Sequence, residues 1–300
     1  MLKYPRIFYG SIVALSAFAI IFLFPVWTHL ALLFAVFTLG EMEFSNMVRR
    51  GGHKYELLPT TVCGVAYLIC TALESPVFRD LFPGLAPIGG TKLSDIVLWV
   101  TPAILLMRGV FRRETDNAME TFAFSYAGFW YVAVLLSFMV RISFEWGLDA
   151  KSNIDYTGRL ALALFIILVK MGDVGAYGIG VKFGRRKLIP EISPKKTVEG
   201  LMGGYVASII TSLVCWALAT AFAGGMIGEI RYTLFHALLL PIVLTTAGVV
   251  GDLSESLIKR SVGVKDSSSA LPGMGGVLDV LDSLLFAAPI MYIYILLFSR

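Results

Sequence analysis

Between Gly251 and Phe286 the chain reads GDLSESLIKRSVGVKDSSSALPGMGGVLDVLDSLLF, which sets aspartates, lysines and an arginine among strongly apolar segments. Charge beside or inside a bilayer is costly and is seldom kept without a task. Asp252, Ser256 and Lys259 fall at i, i+4 and i+7, so on a helix they share one face. Asp279 and Asp282 are three apart and share a face as well. Between these groups lies Pro272-Gly-Met-Gly-Gly276, a turn-forming stretch that cannot continue a helix. Two helix ends facing each other across a loop would converge carboxylates and cations. Carboxylates can hold a divalent metal, and metal and lysines together can hold phosphates.

A second polar stretch precedes it. Lys170 and Asp173 stand at i, i+3 in an apolar run, either as an internal ion pair or with Asp173 facing a polar cavity. Glycines at 172, 175, 178, 180 and 184 allow close helix approach. Next comes Gly184-Arg-Arg-Lys187 and then Ser193-Pro-Lys-Lys-Thr-Val-Glu-Gly200. Ser193 reads as a helix N-cap with Pro194 in the first helical position. Free backbone amides there, with Lys195, Lys196 and Thr197, would cradle a phosphate. No Gly-x-x-x-x-Gly-Lys-Ser/Thr occurs, so a Walker nucleotide site is not indicated.

The elements that must carry these residues are membrane helices. The 300-residue chain is 57% hydrophobic and only 15% charged, with mean hydropathy +0.78. Soluble domains are nearer 25% charged. The apolar runs are long and continuous rather than alternating, which argues against a barrel. Runs at 7–24, 26–39, 57–73, 94–107, 121–140, 160–180, 201–222, 233–250 and 281–298 predict an all-α polytopic integral membrane protein of about nine transmembrane helices, the second and fourth being the weakest. The first run, after Lys3 and Arg6, lacks a clear cleavage site and reads as a retained span. Most of the 25 lysines and arginines fall in loops on the N-terminal side, which predicts a cytoplasmic N-terminus.

Residues 1–158 read as apolar helices with little identifiable chemistry. Within them Glu41 to Gly52 reads as a solvated cytoplasmic loop. Residues 159–300 carry the chemistry, within one membrane domain overall. Cys63, Cys70 and Cys215 lie inside spans and form no cluster with His29, His53 or His236, so neither zinc nor a disulfide frame is indicated.

Two segments resemble the membrane-bound phosphatidate cytidylyltransferases, the CDP-diacylglycerol synthases. One is Asp173-Val-Gly-Ala-Tyr177 with Phe183-Gly184 and Ser193 to Gly200. The other is Ser256-Leu-Ile-Lys-Arg260, Lys265-Asp266, Pro272 to Gly276, Asp279 and Asp282-Ser283. The match covers about residues 160–290, and order and gaps agree throughout it. Met274 stands where the family commonly has histidine, and Val280 where it commonly has arginine. A phosphate nucleophile is already anionic near neutral pH and pyrophosphate leaves readily, so positioning and charge neutralisation outweigh a proton shuttle. The departures bear on affinity, pH response or lipid preference.

The resemblance implies transfer of the cytidylyl group of CTP to phosphatidate with magnesium, giving CDP-diacylglycerol and pyrophosphate for phospholipid biosynthesis. It implies metal ligation by Asp252 and Asp279, with Asp282 and Asp173 nearby. Lys195, Lys196, Lys259 and Arg260 would share the substrates' charge. Ser193, Thr197 and Ser256 would donate hydroxyls, and Gly275 and Gly276 would let backbone approach a phosphate or the nucleotide. CTP, phosphatidate and bilayer lipid are the expected partners, with no nucleic acid and a homodimer as a further candidate. The site is expected at the cytoplasmic face of the inner membrane. A CTP-dependent lipid-alcohol kinase of the same superfamily is the alternative. A secondary transporter fits less well, because the charges cluster at one face rather than the midplane.

Overall fold

The computed structural model describes residues 16, 18–82, 91–113, 115–146, 156–264, 267–268 and 275–298. Among them seven helices are long and apolar enough to cross a membrane, by length and composition. In chain order, with one shorter apolar helix and one short connecting helix included, they are α1 (Val26–Arg50), α2 (Leu57–Leu73), α3 (Pro76–Leu81), α4 (Leu93–Arg112), α5 (Ala118–Phe144), α6 (Tyr156–Phe183), α7 (Val198–Ala223), α8 (Leu234–Ser261) and α9 (Val277–Phe298). The protein is therefore an all-α membrane protein. Both of the weakest expected runs form long helices, α1 and α4. The shortest apolar helix is instead α2. Most of the expected first span lies outside the described residues.

The chain divides into two compact units. Unit 1 comprises Met1–Asp155 with Ser261–Val280, and unit 2 comprises Tyr156–Arg260 with Leu281–Arg300.

Unit 1 has an aromatic core. Phe37, Phe44, Phe78, Phe129 and Phe144 are all fully buried. Helix α5 contains one π-helical stretch, Phe129–Val134, in which every residue but Trp130 is buried. Such a bulge rotates the residues after it, so the phenylalanines on both sides can face inward. At Gly128 a Cβ would meet the Tyr55 ring at 2.9 Å. The Tyr55 hydroxyl donates to Glu41, and burial, with the Glu41 carboxylate alongside, pushes that phenol well above its usual range. Helix ends are tied by side chains. The Glu74 carboxylate after α2 accepts from the Ser94 amide at 2.7 Å and from its hydroxyl at 2.8 Å, which satisfies one of the amides left open at the start of α4.

The stretch Glu41–Arg50 is the end of α1 and not a solvated loop. Glu41 is fully buried and Glu43 nearly so. Phe44, Met47 and Val48 continue the apolar face between and beyond the charges, so burial of that face takes the carboxylates in with it.

Unit 2 is built on the close pairing of α6 and α7. A Cβ at Gly175 would lie 2.6 Å from the Gly203 carbonyl, and one at Gly204 would lie 2.9 Å from the Gly172 carbonyl. Small residues let the two backbones touch, as expected of helices packing in lipid. Gly178, by contrast, has nothing within 4 Å of an added Cβ. A short antiparallel hairpin, β1 (Lys187–Ile189) and β2 (Ser193–Thr197), joins the two helices. A second small hairpin, β3 (Met226–Ile227) and β4 (Ile230–Arg231), leads from α7 to α8.

Candidate functional site

The β1–β2 hairpin changes the expected start of α7. Ser193 is not the N-cap: it pairs with Ile189 in the ladder. The Val198 amide still donates to the Arg186 carbonyl at 2.9 Å, so the chain stays extended through Thr197. Thr197 ends the strand at φ −129°, ψ 154° and caps the helix, its Oγ1 accepting from the Gly200 amide at 3.1 Å. A β-branched residue suits the extended backbone, and its hydroxyl suits the cap. Glu199 then reaches back to the Arg185 and Arg186 amides at 2.9 and 3.1 Å. The basic turn is thereby fixed from both sides. Lys195 is exposed and Lys196 half-buried.

The hairpin sets Lys196 against α8. Its Nζ lies 2.9 Å from Asp252 Oδ2 and donates to the Val249 carbonyl at 3.2 Å. Ser256 Oγ lies 3.5 Å from Asp252 Oδ1, the i, i+4 relation expected on a helix. Asp252 does not close α8, which runs on to Ser261. Lys259 does not join Asp252: it is buried against Glu255, Nζ to Oε2 at 2.8 Å. Arg260 is exposed.

Helices α6 and α9 add a second group. Lys170 Nζ donates to Asp173 Oδ2 at 3.1 Å and to Ser283 Oγ at 2.8 Å, and Ser283 Oγ donates to Asp173 Oδ2 at 2.9 Å. Lys170 and Asp173 therefore are an ion pair, with Ser283 closing a triangle. Asp282 is buried beside this triangle, within electrostatic reach of Asp252, Lys170, Glu255 and Asp173. The close approach of α8 to α9 needs Gly251, whose added Cβ would lie 3.0 Å from the Phe286 side chain and would overlap the Asp282 carbonyl. Asp173, Lys196, Asp252 and Asp282 are thus gathered in unit 2 from α6, β2, α8 and α9.

Asp279 belongs to unit 1 and sits in the first turn of α9. Its Oδ2 accepts from Ser267 Oγ at 2.6 Å and from the Gly276 amide at 2.7 Å. Glu43 of α1 completes the same helix start, accepting from the Val277 and Leu278 amides at 2.9 Å each and from Ser268 Oγ at 2.6 Å. Gly275 turns at φ +95°, a conformation side chains disfavour. A Cβ on Gly275 would strike the Asp279 carboxylate, and one on Gly276 would strike Glu43 and Ser267. The glycine pair lets backbone close on these two carboxylates. Lys265, Asp266 and Pro272 to Met274 lie outside the described residues.

Glu43 and Ser283 were missed as site residues by sequence reasoning. Only the continuation of the apolar pattern past Glu43 could have signalled its burial. Ser283 stood in the quoted signature, but nothing local tied it to Lys170.

Among the described residues no three His, Cys, Asp or Glu side chains gather closely enough to hold a metal. Magnesium does not require such a cage, since it is commonly held by one or two carboxylates together with substrate phosphates. Asp173, Asp252, Asp282 and the Ser283 hydroxyl offer hard oxygen donors of the kind it takes, so the donor set fits.

Residues 4–298 match the model of the Cytidylyltransferase family. A phosphatidate cytidylyltransferase of Bacillus subtilis is 32% identical over 282 residues, 94% of this chain and 95% of that protein. One of Haemophilus influenzae is 32% identical over 295 residues, 96% of each. An Escherichia coli protein described as uncharacterized, YnbB, is 40% identical over 138 residues, 46% of this chain and 43% of its own length.

Proposed function

The chain belongs to the cytidylyltransferase family, and we propose that it transfers the cytidylyl group of CTP to phosphatidate, giving CDP-diacylglycerol and pyrophosphate. The full-length likeness to enzymes named phosphatidate cytidylyltransferase supports this over a lipid-alcohol kinase. The structural observation that carries the reading is the Lys196–Asp252 pair at 2.9 Å, with Asp173 and Asp282 in the same unit. It sets a lysine from the basic hairpin among carboxylates, the combination a polyanionic reaction needs.

An oxygen of the lipid phosphate attacks the α-phosphorus of CTP. The bond from that phosphorus to the bridging oxygen breaks, and its electron pair leaves with pyrophosphate. No proton need move, because the nucleophile is anionic. The chain's work is to hold two polyanions in line and spread their charge. Lys196 would stand beside the reacting phosphates, with the exposed Lys195 and Arg260 and the buried Lys259 sharing their charge. Ser193, Thr197 and Ser256 supply hydroxyls, and Gly275 and Gly276 shape the loop. Asp252, Asp282 and Asp173 are the residues of unit 2 that would hold magnesium. Bound there, the ion would supply positive charge to neutralise the phosphates and the leaving group. Catalysis belongs to residues 159–300.

On this reading the protein lies in the bacterial inner membrane with about nine spans, the N-terminus and the site facing the cytoplasm. The excess of cations in N-terminal-side loops supports that orientation. A cysteine at position 195 should be labelled by an impermeant reagent from the cytoplasmic face; labelling from the outer face alone would overturn the orientation. The function is tested with purified protein, phosphatidate and CTP labelled in the α or γ position. α-Label in lipid and γ-label in pyrophosphate are expected. γ-Label in lipid would assign a kinase instead.

A further inference from the structure

A cavity of about 490 Å³ in unit 1 is lined by none of the residues proposed for catalysis. Its charged wall is Arg49 from the last turn of α1, Arg108 and Arg112 from the end of α4, and Glu56 just before α2. Its apolar wall includes Met42 and Leu58, both exposed on the helix surfaces. Thr38, also in the lining, lies eleven residues before Arg49 on α1, about 16 Å along the helix at 1.5 Å per residue. The cavity therefore runs from the cationic helix termini along α1, past Met42 to Thr38, with Leu57 and Leu58 beside the charged groups.

Two guanidinium groups share one carboxylate, and a third lines the same cavity. Glu56 accepts from Arg108 Nε and from Arg112 Nη1, the latter at 2.8 Å, while Arg49 Nη2 donates to the Tyr55 carbonyl at 3.0 Å. A guanidinium carries five N–H donors, so these contacts orient the forks without consuming them. Arg108 and Arg112 keep 34% and 46% of their side-chain surface accessible. Arginines that only set topology need neither a cavity nor a shared carboxylate to orient them. We propose that this cavity binds an anionic phospholipid, its phosphate on Arg49, Arg108 and Arg112 and the start of its acyl chains along Met42 and Leu58. The excess positive charge selects an anion. The apolar wall selects a lipid over a soluble phosphate, which would leave that wall uncovered.

The test uses the full chain purified in neutral detergent without CTP, titrated with phosphatidylglycerol, phosphatidylcholine or glycerol phosphate, with retained ligand read by native mass spectrometry. Phosphatidylglycerol should be retained in preference to the other two. The double variant Arg108→Ala/Arg112→Ala should weaken its binding about tenfold or more, the scale of one lost charge-assisted contact. Glu56→Gln removes the competing negative charge and should bind it at least as tightly as the native chain. Equal retention of phosphatidylcholine or of glycerol phosphate would overturn the proposal, as would unchanged binding in the arginine variant. Should the arginine variant fail to elute as a folded species, Glu56→Gln decides alone, and weaker binding there sinks the idea. Turnover is not a readout, so this result and that of the labelled-CTP assay stand independently.

Discussion

In unit 1, Glu43 meets two backbone amides and the Ser268 hydroxyl, Asp279 meets the Gly276 amide and Ser267, and Glu74 meets both polar groups of Ser94. In unit 2, Asp252 meets the Lys196 ammonium and Asp173 meets the Lys170 ammonium. The residue types are the same and the partners are not. Backbone amides and short hydroxyl side chains are fixed by the fold, and a carboxylate bound to them alone, with no ammonium partner, is spent on structure. A lysine sits on a flexible stem with three rotatable donors, and it can exchange a carboxylate for a phosphate at little cost. Asp252 and Asp173 also keep 41% and 40% of their side-chain surface accessible, which leaves them reachable. The comparison separates carboxylates that hold helices together from carboxylates available to substrate.

The largest effect expected from that contrast is on turnover in unit 2. Asp252→Asn and Asp173→Asn should each lower CDP-diacylglycerol formation by roughly a hundred- to a thousandfold, as losing a preorganised charge at a reacting phosphate does. Added magnesium should rescue poorly, and gel filtration in detergent should be unchanged. Near-normal turnover in either variant would dissolve the contrast. Asp279→Asn tests the border between the two classes. Asparagine can still accept from Ser267 and Gly276, so a purely structural Asp279 would leave turnover nearly intact. Turnover near native is therefore expected, and its collapse with the fold retained would move Asp279 into the class that serves substrate.

Next in size is Lys196→Ala. Loss of one charge-assisted phosphate contact, about 1.5–3 kcal/mol, lowers kcat/KM roughly ten- to a hundredfold. Native kinetics in this variant would reduce the basic hairpin to a topology signal.

Glu43→Ala should show the opposite signature. It leaves a buried amide, a part-buried amide and a hydroxyl without this acceptor, costing about 2–4 kcal/mol of stability. The melting temperature in detergent should drop clearly, while kcat/KM measured well below it changes less than for Lys196→Ala. Glu43→Gln, which keeps an acceptor oxygen, should recover part of the loss. An unchanged melting temperature in Glu43→Ala would mean that the start of α9 does not depend on α1.

The sequence made the helices legible because hydropathy is a long-range sum and tolerates local error. The Lys170–Asp173 and Asp252–Ser256 relations were legible because helical spacing fixes them locally. Glu255–Lys259 has the same i, i+4 spacing and outcompeted the expected link between Lys259 and Asp252 at i+7. Glu43 was not legible, since its partners lie more than two hundred residues away and are mostly backbone amides, which carry no residue signature. Ser283 escaped for the same reason: its link to Lys170 depends on how α6 packs on α9.

The smallest predicted effect concerns where α7 begins, and it bears directly on which hydroxyl is structural. A Ser-Pro pair before a helix resembles a cap, yet hydrogen bonding between β1 and β2 holds residues 193–197 extended and moves the cap to Thr197. Thr197→Ala removes the acceptor for the Gly200 amide and should cost about 1 kcal/mol. Ser193→Ala removes no cap and should leave stability within about 0.5 kcal/mol of native, as surface changes away from such features do. Any effect of Ser193→Ala should appear in KM for CTP or phosphatidate, since its proposed role is toward substrate. Thermal melts of the two variants side by side, with kinetics on both, decide the matter. A larger stability loss from Ser193→Ala than from Thr197→Ala would return the cap to Ser193 and place its hydroxyl with the structural groups.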